Sequence, residues 1–206
     1  VFTFGQPYPS FNGVLPNKNP SGANGQGFTY VAPDGNRLGR VQNFNLGFQF
    51  ALPKDFVLDL GYIGNRSKGV IAIGLDALNQ LPVSVLAQYG DALIQPLSRN
   101  PTLAPLPYPG FTGTLAQSLR RFPQYQNVGQ YLPNIGRGAY DSLQVVATRR
   151  FTAGLAIVAA NTFSKALTNA EAPVDGSSAS QDAYNRNLAY SVASYNNPSN
   201  FKFTWI

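Results

Sequence analysis

The 206-residue sequence predicts an all-β fold, an antiparallel up-and-down sheet, and three observations predict it. Two long stretches, around 44–63 and 142–164, alternate apolar and polar residues with a period of two, the spacing of β-strands. Charged residues make up only 12% of the chain, against roughly 25% in soluble domains. Gly 20, Pro 16 and 13% aromatics suit many strands joined by irregular loops better than a helical bundle.

Residues 1–36 read as loop, with Val1-Phe2-Thr3-Phe4 as a strand tail and Pro7, Pro9, Pro16 and Pro20 after it. The turn-rich run 21–27 follows, then a short β piece at 28–31 ending at Pro33-Asp34-Gly35. A hairpin is expected over 40–68. Phe44, Leu46, Phe48 and Phe50 alternate with Asn43, Asn45, Gly47 and Gln49. After the joint 52–55, Phe56, Leu58, Leu60 and Tyr62 alternate with Val57, Asp59, Gly61 and Ile63.

A long loop spans 69–138, with helical spacing at 75–81 and 83–93 on either side of Pro82. A Pro-rich stretch follows, then a short helix over 114–122 stopped by Pro123. The second hairpin, 139–167, repeats the first at an offset of 99 residues, placing Phe44 on Leu143 and Leu58 on Ile157. Leu143, Val145 and Ala147, then Leu155, Ile157, Ala159 and Phe163, share one face. Ser142, Gln144 and Thr148, then Ala156, Ala160, Thr162 and Ser164, share the other; the joint is 151–154, with Gly154. A polar loop, 168–199, leads to the start of the next strand at 200–206. The chain opens without Met or a signal-peptide pattern and stops on an alternating run, so an internal piece of a longer protein is expected.

Composition removes much chemistry. With no Cys there is no disulfide framework or thiolate metal site, and with no His the commonest general base and zinc ligand are missing. Neither an enzyme nor a resident cofactor is expected. The net charge of +6 is thinly spread, its only adjacent pairs being Arg120-Arg121 and Arg149-Arg150, which disfavours a nucleic-acid partner. Asp175 and Asp182 could form a loose calcium site, although solvated loop charges are the simpler reading. Gly22, Gly25 and Gly27 lack the Lys-Ser/Thr of a phosphate loop, and Asn65-Arg66-Ser67 is a chance-level sequon. Arg120-Arg121 reads as a helix-end cap or as a contact for an anionic ligand.

The solvent of each face decides function. No run of about 18 apolar residues exists, so a transmembrane helix is excluded. The joints alternate between four residues and long loops, the rhythm of outer-membrane barrels with their short periplasmic turns. Strands of about eleven to thirteen residues cross a bilayer at a tilt of about 45°. On the apolar face the charges read as Arg149 beside the short turn and Lys165 toward the long loop, while Asp59, Arg150 and Lys202 lie on the polar face. A cation facing lipid costs about 2–4 kcal/mol at mid-depth and little near the interface. Aromatics at strand ends fit interfacial girdles. A transmembrane β-barrel segment of about five to six strands follows, an open sheet whose long loops carry short helices. The competing expectation is a secreted, soluble β-rich module that binds carbohydrate or mediates adhesion, its apolar face covered by helices of the long loop.

The run RVQNFNLGFQFALPKDFVLDLGYIGNRSKG (40–69) resembles a barrel hairpin of TonB-dependent outer-membrane receptors of the Oar-like class. YDSLQVVATRRFTAGLAIVAANTFSKALTN (140–169) is similar to the hairpin after it, and QDAYNRNLAYSVASYNNPSNFKFTWI (181–206) to the following loop and strand start. Asn161 departs from the family, which tends to place an aromatic there on the lipid-facing row. The resemblance implies a barrel of about twenty-two strands, with a plug and a TonB-coupling segment upstream. It also implies a bacterial outer-membrane location and passage of an unidentified bulky solute.

On this reading Asn43, Asn45, Gln49, Asp59, Ser142, Gln144, Thr162 and Lys202 face the lumen. Phe44, Leu46, Phe48, Phe50, Phe56, Leu58, Leu60, Tyr62, Leu143, Val145, Leu155, Ile157 and Phe163 face lipid. The expected partners are outer-membrane lipid, the rest of the barrel and its plug, TonB through the upstream segment, and the solute.

Overall fold

Alternation over 44–52 and 56–62 becomes a pair of antiparallel strands, β2 (Arg40–Leu52) and β3 (Phe56–Val70), in the computed structural model. The structure describes residues 19–32, 37–152, 154–171 and 180–206. The expected strand tail at Val1 to Phe4 and the turn at Pro33-Asp34-Gly35 lie outside them. Leu52 pairs with Phe56, so the joint is Pro53, Lys54 and Asp55 rather than four residues. Lys54 and Asp55 hold φ of 64° and 63°, a left-handed turn that Asp tolerates better than most residues.

β3 continues onto β5 (Gly136–Thr152), which turns into β6 (Leu155–Thr168). Thr152 pairs with Leu155 after a register shift beyond Arg149, so Phe151 and Thr152, expected in the joint, belong to the strand. Gly154 takes the turn's positive φ of 83°. Along the outer edge of β6 lie β7 (Ser191–Val192) and β8 (Ser199–Trp205), at different heights. The result is a six-stranded antiparallel sheet in the order β2-β3-β5-β6, with β7 and β8 both paired to β6. It is open among the described residues, with β2 at one edge and β7 and β8 at the other.

The long loop differs from expectation in four places. Residues 75–81 are turns, not a helix. Buried Asn79 donates to the carbonyls of Phe122 and Tyr125 at 3.0 and 2.6 Å and accepts from the Phe122 N–H at 2.9 Å. Buried Asp76 accepts from the Gln130 N–H, and the Leu78 N–H donates to the Val128 carbonyl. Groups that a helix would keep to itself are therefore tied to a neighbouring segment. Second, that segment is a strand, β4 (Tyr125–Gln130), which pairs in parallel with β1 (Gln26–Tyr30) of the loop-like N-terminal region. Third, the helical run 83–93 divides at Gly90 (φ 47°) into α1 (Val83–Tyr89) and a 3-10 turn. The helix expected over 114–122 is one turn, α2 (Leu115–Ser118), whose first turn is capped by the Thr114 hydroxyl accepting from the Gln117 N–H.

These loop elements carry the hydrophobic core. Leu81, Leu93, Leu97, Tyr108, Phe111 and Leu115 form one buried cluster, with Val85 and Tyr89 of α1 against it. Tyr108 meets Phe111 edge-on at 5.4 Å and donates its hydroxyl to Asn24 at 3.1 Å; burial pushes its phenol pKa up. The sheet is the opposite case. Phe48 and Leu46 remain 56% and 58% exposed, and Phe50, Leu143, Phe163 and Phe203 are exposed as well.

One contact helps hold the first hairpin in register. Gly64 pairs with Phe44, and the Phe44 ring lies over it where a side chain would project. A Cβ on Gly64 would stand 2.1 Å from that ring. Tyr62 lies 6.0 Å from the same ring and the Arg66 guanidinium 5.4 Å from it. We predict that Gly64→Ala in the full-length, detergent-folded protein displaces Phe44 and costs about 1–3 kcal/mol, as overpacking does. The loss would be read as a lower urea midpoint; an unchanged midpoint would contradict the contact.

Candidate functional site: a two-faced sheet and its loop cap

Directly paired residues of an antiparallel sheet point to the same side, so the register sorts every side chain between two faces. Phe44, Leu46, Phe48 and Phe50 of β2 share a face with Phe56, Leu58, Leu60 and Tyr62 of β3. Through the pairs Tyr62–Leu143 and Leu60–Val145 the face continues onto β5, and through Leu143–Phe163 and Arg149–Ile157 onto β6, where Leu155 joins it. Phe201, Phe203 and Trp205 of β8 extend it. Asn43, Asn45, Gln49, Asp59, Ser142, Gln144, Thr162 and Lys202 all lie on the opposite face.

That opposite face is laced by side-chain hydrogen bonds between directly opposed residues. Asn65 donates to Asn43 at 2.5 Å and Gln49 to Asp59 at 2.6 Å. Gly47 and Gly61 are paired between these two bonds, opening a shallow depression of about 370 Å³ floored by glycine and edged by Gln49, Asp59 and Gln144. Lys202 stands opposite Ala160, adding a cation to the same polar surface.

Polar groups on the apolar face lie mainly toward its two ends. Arg149, paired with Phe56 by the short turn, holds its guanidinium 5.9 Å from that ring. At the other end Arg66 bridges Asp141 at 2.9 Å, and Asp141 also accepts from the Tyr62 hydroxyl at 2.5 Å. Between the ends, Asn161 accepts from Ser199 of β8 at 3.3 Å, so its polar atom has a partner within the face. Alternation over the core of each strand missed Arg66 and Asp141. Carrying the parity of Tyr62 and Leu143 on to the strand ends would have found both.

The loop cap offers a second surface. A groove of about 860 Å³ is lined by Asp76, Asn79, Gln80, Arg120, Gln126 and Tyr131, among others. Arg120 donates to the Gln126 carbonyl at 2.6 Å instead of capping α2, and Arg121 lies 5.5 Å from the Phe122 ring. Asp182 accepts from the Tyr184 N–H at 2.8 Å; Asp175, its suggested calcium partner, lies outside the described residues. Among the described residues no three His, Cys, Asp or Glu side chains gather as metal ligands.

The model of one protein family, the outer membrane beta barrel domain, matches residues 1–206. No curated protein and no solved structure matches the chain. The chain therefore belongs to the outer membrane beta barrel domain family, and its place is the bacterial outer membrane as part of a barrel wall. This sets aside the secreted soluble module, which also required helices over the apolar face. The helices pack among themselves in the cap, and Phe44 to Phe50, Leu143, Phe163 and Phe203 of the apolar face stay exposed.

Proposed function

We propose that this member of the outer membrane barrel family is wall and loop cap of a TonB-dependent receptor-like transporter that moves a bulky solute across the membrane. One observation carries the reading: a six-stranded sheet whose apolar face has no core against it among the described residues, backed by a hydrogen-bonded polar face. In water such a face would be an aggregation surface, whereas in a bilayer it is the lipid-contacting exterior. The rows of Phe44 to Phe50, Phe56 to Tyr62, Leu143 with Val145, and Leu155 to Phe163 then meet lipid. The rows containing Asn43, Gln49, Asp59, Ser142, Gln144, Thr162 and Lys202 line the lumen.

The open edges of the sheet are completed by further barrel strands, since an unpaired edge cannot stand in hydrocarbon. The cap extends from the ends of β3 and β5 away from the short turns, and this is the extracellular side, where its polar groove meets the solute first. The likeness of 40–69 and 140–169 to Oar-like receptor hairpins supports a plug within the barrel and coupling to TonB through a segment upstream of these residues. The role is carriage, without a catalytic step or a resident cofactor.

Neighbouring residues on opposite faces give the direct test. Phe48→Arg in the full-length protein should block membrane assembly, at about 2–4 kcal/mol for a cation at mid-depth, whereas Gln49→Arg should assemble normally. Heat-modifiable gel mobility reads the outcome, and equal loss in both variants would overturn the orientation. Coupling is tested separately: the full-length protein should retain the periplasmic domain of TonB on an affinity column. Absence of retention with correctly assembled protein would remove the TonB-dependent class and leave the barrel assignment intact.

A further inference from the structure

The apolar face ends in a band of positive charge. Arg40, Lys68 and Arg137 are directly paired across β2, β3 and β5, and all three are exposed. One pleat closer to the short turns stands Arg66, and one pleat closer again Asp141 is paired with Lys165. Five cations and one carboxylate thus occupy three successive rows of the same face. The carboxylate is already engaged by Arg66 and the Tyr62 hydroxyl.

Among the described strand residues the polar face at the same height bears no charge. Its residues are Val41 and Asn43 on β2, Asn65 and Ser67 on β3, Gly138 and Tyr140 on β5, and Ala166 and Thr168 on β6. The charge is therefore one-sided, and it lies on the face with the phenylalanines. Like charges directly opposite one another destabilise a sheet, so a row of three needs an anion from outside it. Asp141 cannot supply that anion, being two pleats away from the row and already bonded.

Height identifies the environment. With about 3.3 Å per residue and a tilt of about 45°, Arg66 and Lys68 stand about 23–28 Å above Phe56 at the short turn. A barrel's apolar band is about 25 Å tall. The cations therefore emerge at the headgroup level on the loop side, directly above the aromatics Phe44, Tyr62 and Phe163. Arg137 is braced there, its guanidinium 4.4 Å from the Tyr190 ring and donating to Asn187 at 3.0 Å, which leaves other N–H groups of its fork for a phosphate.

We infer that this shelf binds the phosphate groups of an anionic glycolipid in the outer leaflet, with the lipid's acyl chains lying along the phenylalanine rows below. The inference rests on the apolar face being the lipid face. It adds a specific ligand chemistry to that face: two or more phosphates fixed to a lipid, spanning adjacent strands about 4.8 Å apart.

The test uses the full-length protein folded in neutral detergent, with diphosphorylated lipid A, the same lipid enzymatically dephosphorylated, and inorganic phosphate as probes. The protein should bind the phosphorylated lipid at least tenfold more tightly than the dephosphorylated one. That preference should decay with added salt, and millimolar inorganic phosphate should compete weakly. The triple variant Arg40→Gln/Lys68→Gln/Arg137→Gln should lose the preference, while Lys202→Gln on the opposite face should keep it. If the triple variant does not fold, Lys68→Gln alone should reduce the preference severalfold and Lys68→Arg should restore it. Equal binding of both lipids by the wild-type protein, or an undiminished preference in the folded charge variants, would overturn the inference. Phe48 and Gln49 lie well below the shelf, so the arginine substitutions there report on the face assignment independently.

Discussion

A slip of one residue in the pairing of Leu46 with Tyr62 would carry every phenylalanine of β2 to the polar side and every asparagine to the apolar side. Register is therefore the constraint on which the remaining structure depends. Several independent devices hold it: the left-handed turn at Lys54 and Asp55, the Phe44 ring over Gly64, and the Asn43–Asn65 and Gln49–Asp59 bonds. From β3 the same register passes to β5 and β6 without interruption between Phe56 and Lys68 and between Gly138 and Arg149. It thereby aligns rows contributed by distant parts of the chain.

Strand and cap obtain their stability from different sources. The cap has a conventional core of Leu81, Leu97, Phe111 and Leu115 shielded from water, with Asp76 and Asn79 pinning its turns to β4. Among the described residues the sheet has backbone ladders and cross-strand pairs but no core of its own, and in the proposed orientation its apolar surface meets lipid. This division explains how a chain with 44% hydrophobic residues leaves so many large ones exposed. It also explains why the cap can carry a polar groove without disturbing the wall.

The sheet was largely legible in the sequence because period-two alternation is a direct imprint of one apolar and one polar face. Phe44 to Tyr62 and Leu143 to Phe163 needed no tertiary information to be placed on one face. Turn lengths were less legible: Leu52 and Thr152 look like joint residues but continue the ladder, and Phe151 lies in the strand at its register shift. The parallel pairing of β1 with β4 left no local trace, since Gln26–Tyr30 and Tyr125–Gln130 are short, Gly-containing and far apart in sequence. At 75–81 helical spacing of leucines misled because buried Asp76 and Asn79 bind backbone elsewhere. The cationic shelf required register rather than periodicity. Arg40, Lys68 and Arg137 belong to three strands, and only their pairing brings them into one row.

Whether one face of this sheet meets lipid and the other water can be measured directly. The 206 residues contain no Cys, so spin labels can be attached one at a time at positions 46 to 50 of the full-length protein in bilayers, with any cysteine elsewhere replaced. Labels at 46, 48 and 50 should be highly accessible to dissolved oxygen, and labels at 47 and 49 to a water-soluble nickel relaxant. Loss of the two-residue alternation, or the same alternation with the two relaxants exchanged, would contradict this orientation.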